Sequence, residues 1–317
     1  MTLRILLILV ALIAAVTIVT RIRATAREDA AEAAFPPEGK FVDVDGTRVH
    51  AVVSGDGPDL VLIHGSSGNT RDFTFRLAPM LAKKYRVITF DRPGLGYTER
   101  TGAVGETITG QARLLQAAAE KLGADKPIVL GQSYGGAVAL AWAVETPDAL
   151  SALVTVSSPS QVWEGGLPWL YAMNSSILGG RVAVPLITAW TPASYVRAQV
   201  ESIFAPQDMP EGYADYIGAP LTLRRESLRA NAVQRAGLKE ELRALVPRYD
   251  AITVPVEIVH GTADDTVPFD IHATPLAEQV ETAHLVPLEG IGHVPHNTVP
   301  DDVIAAIDRA AERAGLR

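Results

Sequence analysis

The sequence predicts an α/β fold: a mostly parallel sheet flanked by helices, interrupted by a helical block and preceded by an apolar N-terminal helix. Three observations carry this. Short apolar runs rich in β-branched residues alternate with helix-length segments from Phe41 to the C-terminus. Several of these runs end in glycine-containing turns, at the carboxyl edge where parallel sheets bind their ligands. Residues 159–253 separate one run from the next, far more chain than a loop requires.

Composition bounds the possibilities. The 317 residues suit one large α/β domain with an insertion, or two small domains. An apolar content of 48% is enough for a large core. The net charge of −8 and the lack of a basic stripe argue against a nucleic-acid partner. With no cysteine, neither disulfides nor thiolate chemistry contributes. The 7 histidines form no H-E-x-x-H, and His293 and His296 lack a third ligand in obvious spacing, so no metal is expected.

Ile5 to Thr20 is uncharged and strongly apolar. As a helix it covers about 24 Å, slightly short of a ~30 Å hydrocarbon core, and Arg4 and Arg21 can snorkel to make up the difference. Residues 1–21 are therefore expected to be a single-pass anchor and 22–39, Ala/Glu-rich and then Pro36-Pro37, a linker. The alternative is export after cleavage behind Ala24-Thr25-Ala26, although Arg21 and Arg23 suit a signal-peptidase site poorly. Orientation stays open, since Arg4 and the amino terminus compete with Arg21, Arg23 and Arg27.

Phe41 to Val53 alternates about Asp45-Gly46 and reads as a β-hairpin. Leu60 to Ile63 is a buried strand ending in His64-Gly65-Ser66-Ser67-Gly68. A helix near Asp72 to Lys83 precedes the strand Arg86 to Phe90, which ends in Asp91-Arg92-Pro93-Gly94-Leu95-Gly96-Tyr97. A helix from about Thr107 to Leu122 leads to the strand Ile128 to Leu130. The turn Gly131-Gln132-Ser133-Tyr134-Gly135 follows, then a small-residue helix, Ala137 to Val144, stopped by Pro147. In so sharp a strand-to-helix turn, Ser133 is forced into a strained conformation with its hydroxyl lifted clear of the sheet. The helix behind it aims N–H groups and a positive dipole end at the same spot. Leu150 to Val156 is the next strand.

The order of LVLIHGSSG, ITFDRPGLGY and VLGQSYGG resembles the α/β-hydrolase superfamily, in its serine-nucleophile, esterase/lipase-like branch with a helical cap. The resemblance covers about Phe41 to the C-terminus. It implies an oxyanion hole formed by the backbone N–H groups of Ser66 and Tyr134, and no cofactor. It also implies that residues 159–253 are a helical cap between two core parts, 40–158 and 254–317. Within the cap, Thr191-Pro192 marks the start of a helix reaching Phe204, and a second helical run spans Leu221 to Val233. Arg224, Arg225 and Arg229 read as its solvated face. Trp163, Trp169, Trp190, Tyr171, Tyr195, Phe204, Tyr213 and Tyr216 suit an apolar acyl or aromatic substrate, or simply pack the cap onto the sheet. His64 reads as a turn histidine, and Asp91 with Arg92 as a structural turn and ion pair.

Val254 to Val259 is a strand, followed by Gly261-Thr262-Ala263-Asp264-Asp265-Thr266-Val267-Pro268. In the superfamily G-x-x-D-x-x-x-P carries the triad acid, which selects Asp264 over Asp265; Ser157, Ser158 and Pro159 leave no carboxylate at the usual alternative position. After the strand Leu285 to Leu288, the glycine-flanked His293 matches the family's base, with His296 as fallback. A helix from Asp301 to about Gly315 closes the domain. The order Ser133, Asp264, His293 is the order this fold uses.

The chemistry these residue types imply is nucleophilic. His293 would take the Ser133 proton, and Asp264 would fix the imidazole tautomer. The expected activity is hydrolysis of carboxylic esters through an acyl-enzyme, on a small-molecule substrate. C–C bond hydrolysis, cofactor-free perhydrolysis and a slow ligand-sensing receptor remain open on the same triad. Epoxide hydrolases and haloalkane dehalogenases of this fold need a carboxylate where Ser133 stands.

Overall fold

A computed structural model describes residues 2–317. The chain opens with one continuous helix, α1 (Thr2–Ala34). A hairpin follows, β1 (Lys40–Val44) and β2 (Thr47–Ser54), turning on Asp45 and Gly46, both at positive φ as a two-residue hairpin turn requires. Next come β3 (Asp59–Ile63), the short helices α2 (Arg71–Thr74) and α3 (Leu77–Leu81), and β4 (Arg86–Phe90). A one-turn helix α4 (Ala103–Glu106) precedes α5 (Ile108–Lys121), whose N-terminus is capped by the Thr107 side chain. The central unit is β5 (Ile128–Gln132) and α6 (Tyr134–Glu145), followed by β6 (Ala152–Val156).

Six helices then form the insertion: α7 (Trp169–Ser175), α8 (Ile177–Trp190), α9 (Ala193–Ser202), α10 (Tyr213–Tyr216), α11 (Ala219–Thr222) and α12 (Arg225–Leu245). The chain returns to the sheet with β7 (Val256–Gly261), α13 (Phe269–Gln279), β8 (Ala283–Leu288), α14 (Pro295–Thr298) and α15 (Pro300–Arg313). The eight strands lie in the order β1-β2-β4-β3-β5-β6-β7-β8; β2 runs antiparallel to both neighbours and every other pair beyond it is parallel.

The period of two along each strand divides the core. On one face Val61, Ile63 and Val129 pack beneath α5 and α6; on the other Leu60, Leu62, Leu130 and Val154 meet α3 and α15. Both faces of β3 and β5 are therefore buried, which explains their unbroken apolar runs. Helix α6 is buried from Tyr134 to Val144, all the way round. Its glycines permit this: a Cβ on Gly135 would fall 2.1 Å from the Ile63 carbonyl oxygen.

In its helices and the insertion the structure departs from the sequence expectations in four places. The helix expected over Asp72 to Lys83 is two short ones, because a proline at 79 inside a longer helix would collide with the carbonyl four residues back; restarting at Leu77 puts it in a first turn. Residues 22–34 of the expected linker are helical. They extend α1, Ala24 and Ala31 are buried, and Pro36 and Pro37 mark the end. Thr191 does not cap α9, which starts after Pro192 without a side-chain cap. The run Leu221 to Val233 breaks at Arg224, and its arginines are not a solvated face. Arg225 pairs bidentately with Glu28 at 2.5 and 2.9 Å, Arg224 with Glu32 at 2.8 Å, and Arg229 donates to the carbonyls of Asn174 and Ser176.

Candidate active site

The carboxyl ends of β3, β5, β7 and β8 supply the site. Register places Ile63 beside Gly131 and Gln132 beside Val156, so the turns after β3 and β5 emerge side by side. Ser133 sits at φ 50°, ψ −125°, a conformation forced by the reversal from strand into α6. Its N–H donates to the Val156 carbonyl at 2.9 Å and its carbonyl accepts from Gly136 at 2.8 Å, which hold the turn in place.

Asp264 and His293 arrive from the loops after β7 and β8. Asp264 Oδ1 accepts the N–H groups of Thr266 (2.9 Å) and Val267 (2.8 Å), which orients the carboxylate. Its Oδ2 accepts from His293 Nδ1 at 2.8 Å. With that proton on Nδ1, Nε2 is the acceptor, and it lies 3.1 Å from Ser133 Oγ. Burial alone would push the Asp264 carboxyl up; the hydrogen bonds from His260, His293 and Val267 outweigh it and hold the group well below the usual carboxylate range. Asp265 is exposed. His296 is turned away: its Nε2 meets Asp72 Oδ1 at 3.0 Å, an oxygen that also accepts from Tyr213 Oη (2.7 Å) and Asn297 Nδ2 (2.9 Å).

The loop after β3 passes directly over the serine. A Cβ on Gly65 would lie 3.0 Å from Ser133 Cβ, so only glycine allows the backbone this close. The N–H groups of Ser66 and Tyr134 have no acceptor among the described residues. His64 lies under this loop as a turn residue, its Nδ1 donating to Gly65 O at 2.9 Å and its Nε2 accepting the Arg92 N–H at 3.0 Å; burial and the nearby Arg92 charge lower its pKa to about 4, so it is neutral.

The expected Asp91–Arg92 ion pair does not form. Asp91 instead accepts from His50 Nδ1 (2.6 Å), Thr70 N (2.7 Å) and Tyr97 N (2.8 Å). Arg92, fully buried, serves only neutral oxygens: His64 O, Gly65 O, Gln111 Oε1 and Gln234 Oε1, all at 2.7–2.9 Å, with its guanidinium 4.3 Å over the Tyr134 ring. Burial lowers its pKa to about 10, still fully charged near neutrality.

Several positioning residues carry no motif. His260 Nε2 donates to Val267 O at 2.7 Å and lies 3.3 Å from Asp264 Oδ2, bracing the acid from the far side. Gln207 of the insertion clasps the histidine loop, accepting from Gly292 N and donating to Gly290 O, each at 2.8 Å. Asn231 of α12 clasps the loop after β3, accepting from Ser67 N and donating to Ser67 Oγ, each at 2.9 Å, while Thr222 donates to Ser67 O at 2.6 Å. Phe204 and Tyr213 are buried against Val294, the residue after His293, whereas Trp169, Trp190 and Tyr195 are exposed. Among the described residues no group of three His, Asp or Glu side chains is placed to share a metal ion.

Comparison with known proteins agrees with this architecture. The sequence profile of the Alpha/beta hydrolase family matches residues 60–306. Haloalkane dehalogenase 2 of Mycobacterium tuberculosis is 25% identical over 207 residues, 65% of this chain and 67% of that one. The pimeloyl-[acyl-carrier protein] methyl ester esterase of Aeromonas hydrophila is 31% identical over 265 residues, covering 80% and 95% respectively. Among solved structures, an alpha/beta hydrolase fold protein from Burkholderia ambifaria superposes with a TM-score of 0.70 at 25% identity, over 85% of this chain and 96% of that one. With strand order, serine turn and profile in agreement, this chain belongs to the alpha/beta hydrolase family and is a hydrolase by that membership.

Proposed function

We propose that the protein is a membrane-anchored serine hydrolase that cleaves carboxylic esters of apolar or aromatic small molecules. The observation that carries this is the continuous chain of hydrogen bonds from Asp264 through His293 to Ser133, 2.8 and 3.1 Å long. Ser133 Oγ attacks the ester carbonyl as its proton passes to His293 Nε2. Asp264 keeps the imidazole proton on Nδ1 and stabilises the imidazolium that forms. The oxyanion forms against the free N–H groups of Ser66 and Tyr134, each worth about 2.7–4 kcal/mol of barrier. His293 then protonates the departing alcohol and activates water against the acyl-enzyme. The named esterase relative, similar over most of both chains, supports the ester reading.

The membrane reading is supported by α1, the one helix among the described residues that is long and apolar enough to span. Cleavage behind Ala26 would remove Thr20 and Arg23, which bind the insertion; those contacts favour an uncleaved anchor.

Fluorophosphonate labelling with peptide mapping tests the nucleophile, with Ser133 as the expected adduct. Ser133→Ala should lower esterase turnover by several orders of magnitude while stability stays within about 1 kcal/mol; an active Ser133→Ala enzyme refutes the assignment. Turnover of short nitrophenyl esters against a vinylogous diketone, together with a peroxide-dependent bromination assay, separates ester cleavage from the C–C and perhydrolase chemistries.

A further inference from the structure

Helix α1 is about 50 Å long, and a bilayer core takes up only ~20 of its residues, so its last third or so stands outside the hydrocarbon. That outer part is strapped to the insertion. Arg23 Nε donates to Ala189 O at 2.7 Å and Arg27 Nη1 to Thr191 O at 2.7 Å, two carbonyls at the C-terminal end of α8. Glu28 and Glu32 hold Arg225 and Arg224. Where the uncharged run ends, Trp190 Nε1 donates to Thr20 Oγ1 at 3.2 Å, and the Arg23 guanidinium lies 4.6 Å from the Trp190 ring. The insertion is thus fixed to the shaft at the level where the shaft leaves the apolar phase.

From this point an unpartnered apolar face extends along α8. Leu178, Val182, Leu186 and Trp190 recur every fourth residue, so they lie in one stripe. They are 73, 51, 41 and 48% exposed, while Val184 and Thr188 on the opposite side of the helix are buried. Ile177 and, on α7, Trp169 add to the exposed apolar surface, each 73% exposed. Soluble monomers rarely leave so contiguous an apolar surface in water. Arg181 is the only charged residue of α8, and Arg21, Arg23 and Arg27 cluster at its other end, suited to anionic headgroups. Trp190 at the polar–apolar boundary is where a membrane-interface tryptophan resides.

Building on the anchored-esterase reading, we propose that the exposed stripe of α8 lies in the headgroup–acyl boundary of the phospholipid bilayer that α1 crosses. The insertion then sits at the lipid surface, and the esters it admits are those dissolved in the membrane. The occupant is the bilayer itself, because the stripe is continuous with the spanning helix through Trp190 and Thr20.

The chain has no cysteine, so single-cysteine variants carry one dye each. Full-length Leu9→Cys, Leu186→Cys, Val182→Cys and Glu240→Cys proteins would be labelled with an environment-sensitive fluorophore. They would be reconstituted in phosphatidylcholine/phosphatidylglycerol vesicles bearing nitroxide-labelled lipid. Quenching at 186 and 182 should exceed that at 240 by at least about threefold, with a shallower nitroxide more effective there than at 9. Quenching at 9 but not at 186 or 182 overturns the docking while leaving the anchor intact. No quenching at any position overturns both. Dye at 186 buried without lipid quenching, together with self-association, assigns the face to a second copy and also overturns the proposal.

Discussion

Replacing Asp264 by Asn tests the site at its most constrained point. The substitution keeps size and shape, but the amide must choose which end is nitrogen. Oδ1 accepts two backbone N–H groups, from Thr266 and Val267, so the amide oxygen has to remain there. The NH2 group is then forced to the Oδ2 position, facing His293 Nδ1 and, 3.3 Å away in the native protein, His260 Nε2. Facing a donor, His293 can form that bond only by moving its proton to Nε2, where it can no longer accept from Ser133. By the precedent of serine-protease triads, trapping this tautomer costs about 10⁴ in kcat, or roughly 5.4 kcal/mol of barrier. The assay is kcat on a short nitrophenyl ester for both proteins, with thermal melts from pH 3 to 8. The native carboxyl is held below its unfolded pKa, so its stabilisation is present above about pH 4 and is lost as the pH falls toward the folded value. Asp264→Asn lacks that acid-side loss, so its melting temperature should fall less steeply below pH 4. A Asp264→Asn enzyme within tenfold of native turnover would refute the tautomer argument and the role of Asp264.

Three further outcomes follow from the geometry. Arg92→Ala leaves the buried carbonyl of His64 and two glutamine oxygens without a donor and removes one of the donors to Gly65 O, and should cost at least about 3 kcal/mol by chemical denaturation; Arg92→Lys, a point cation, should not restore it. Glu241, pushed up to about 7 chiefly by burial and opposed by the Ile108 N–H, stays protonated in the fold where the unfolded chain has ionised. Stability should therefore decline as the pH rises between roughly 4.5 and 7, and Glu241→Gln should melt increasingly above wild type from pH 5 to pH 8. Asn231→Ala removes the acceptor of the Ser67 N–H, next to the proposed oxyanion donor Ser66, leaving only Thr222 on this backbone, and should lower kcat by about 10- to 100-fold, a loss read in steady-state ester kinetics.

The strands and the three side chains of the candidate site, Ser133, Asp264 and His293, were legible because each lies in a local pattern. Ile128 to Leu130 must be apolar on both faces, and the Ser133 turn needs glycines on either side for backbone contact. Asp264 was selected by register between Gly261 and Pro268, and the structure places its carboxylate 2.8 Å from His293 Nδ1. What was hidden rests on pairings between distant segments. Nothing about Arg225 alone says that it faces Glu28 across nearly two hundred residues, so a docked helix looked like a linker and its partners like a solvated face. Arg92 looked like half of an ion pair because sequence proximity to Asp91 says nothing about which way either side chain turns. Gln207, Asn231 and His260 belong to no motif, because a glutamine or asparagine that braces a loop needs only the right distance.

Gln207 and Asn231 have a practical bearing on attempts to redesign what this protein accepts. Both belong to the insertion, yet one steadies the loop of His293 and the other the loop after β3 that passes over Ser133. Exchanging the insertion for that of a relative would alter the roof and loosen the workbench at once, unless side chains equivalent to these two travel with the graft.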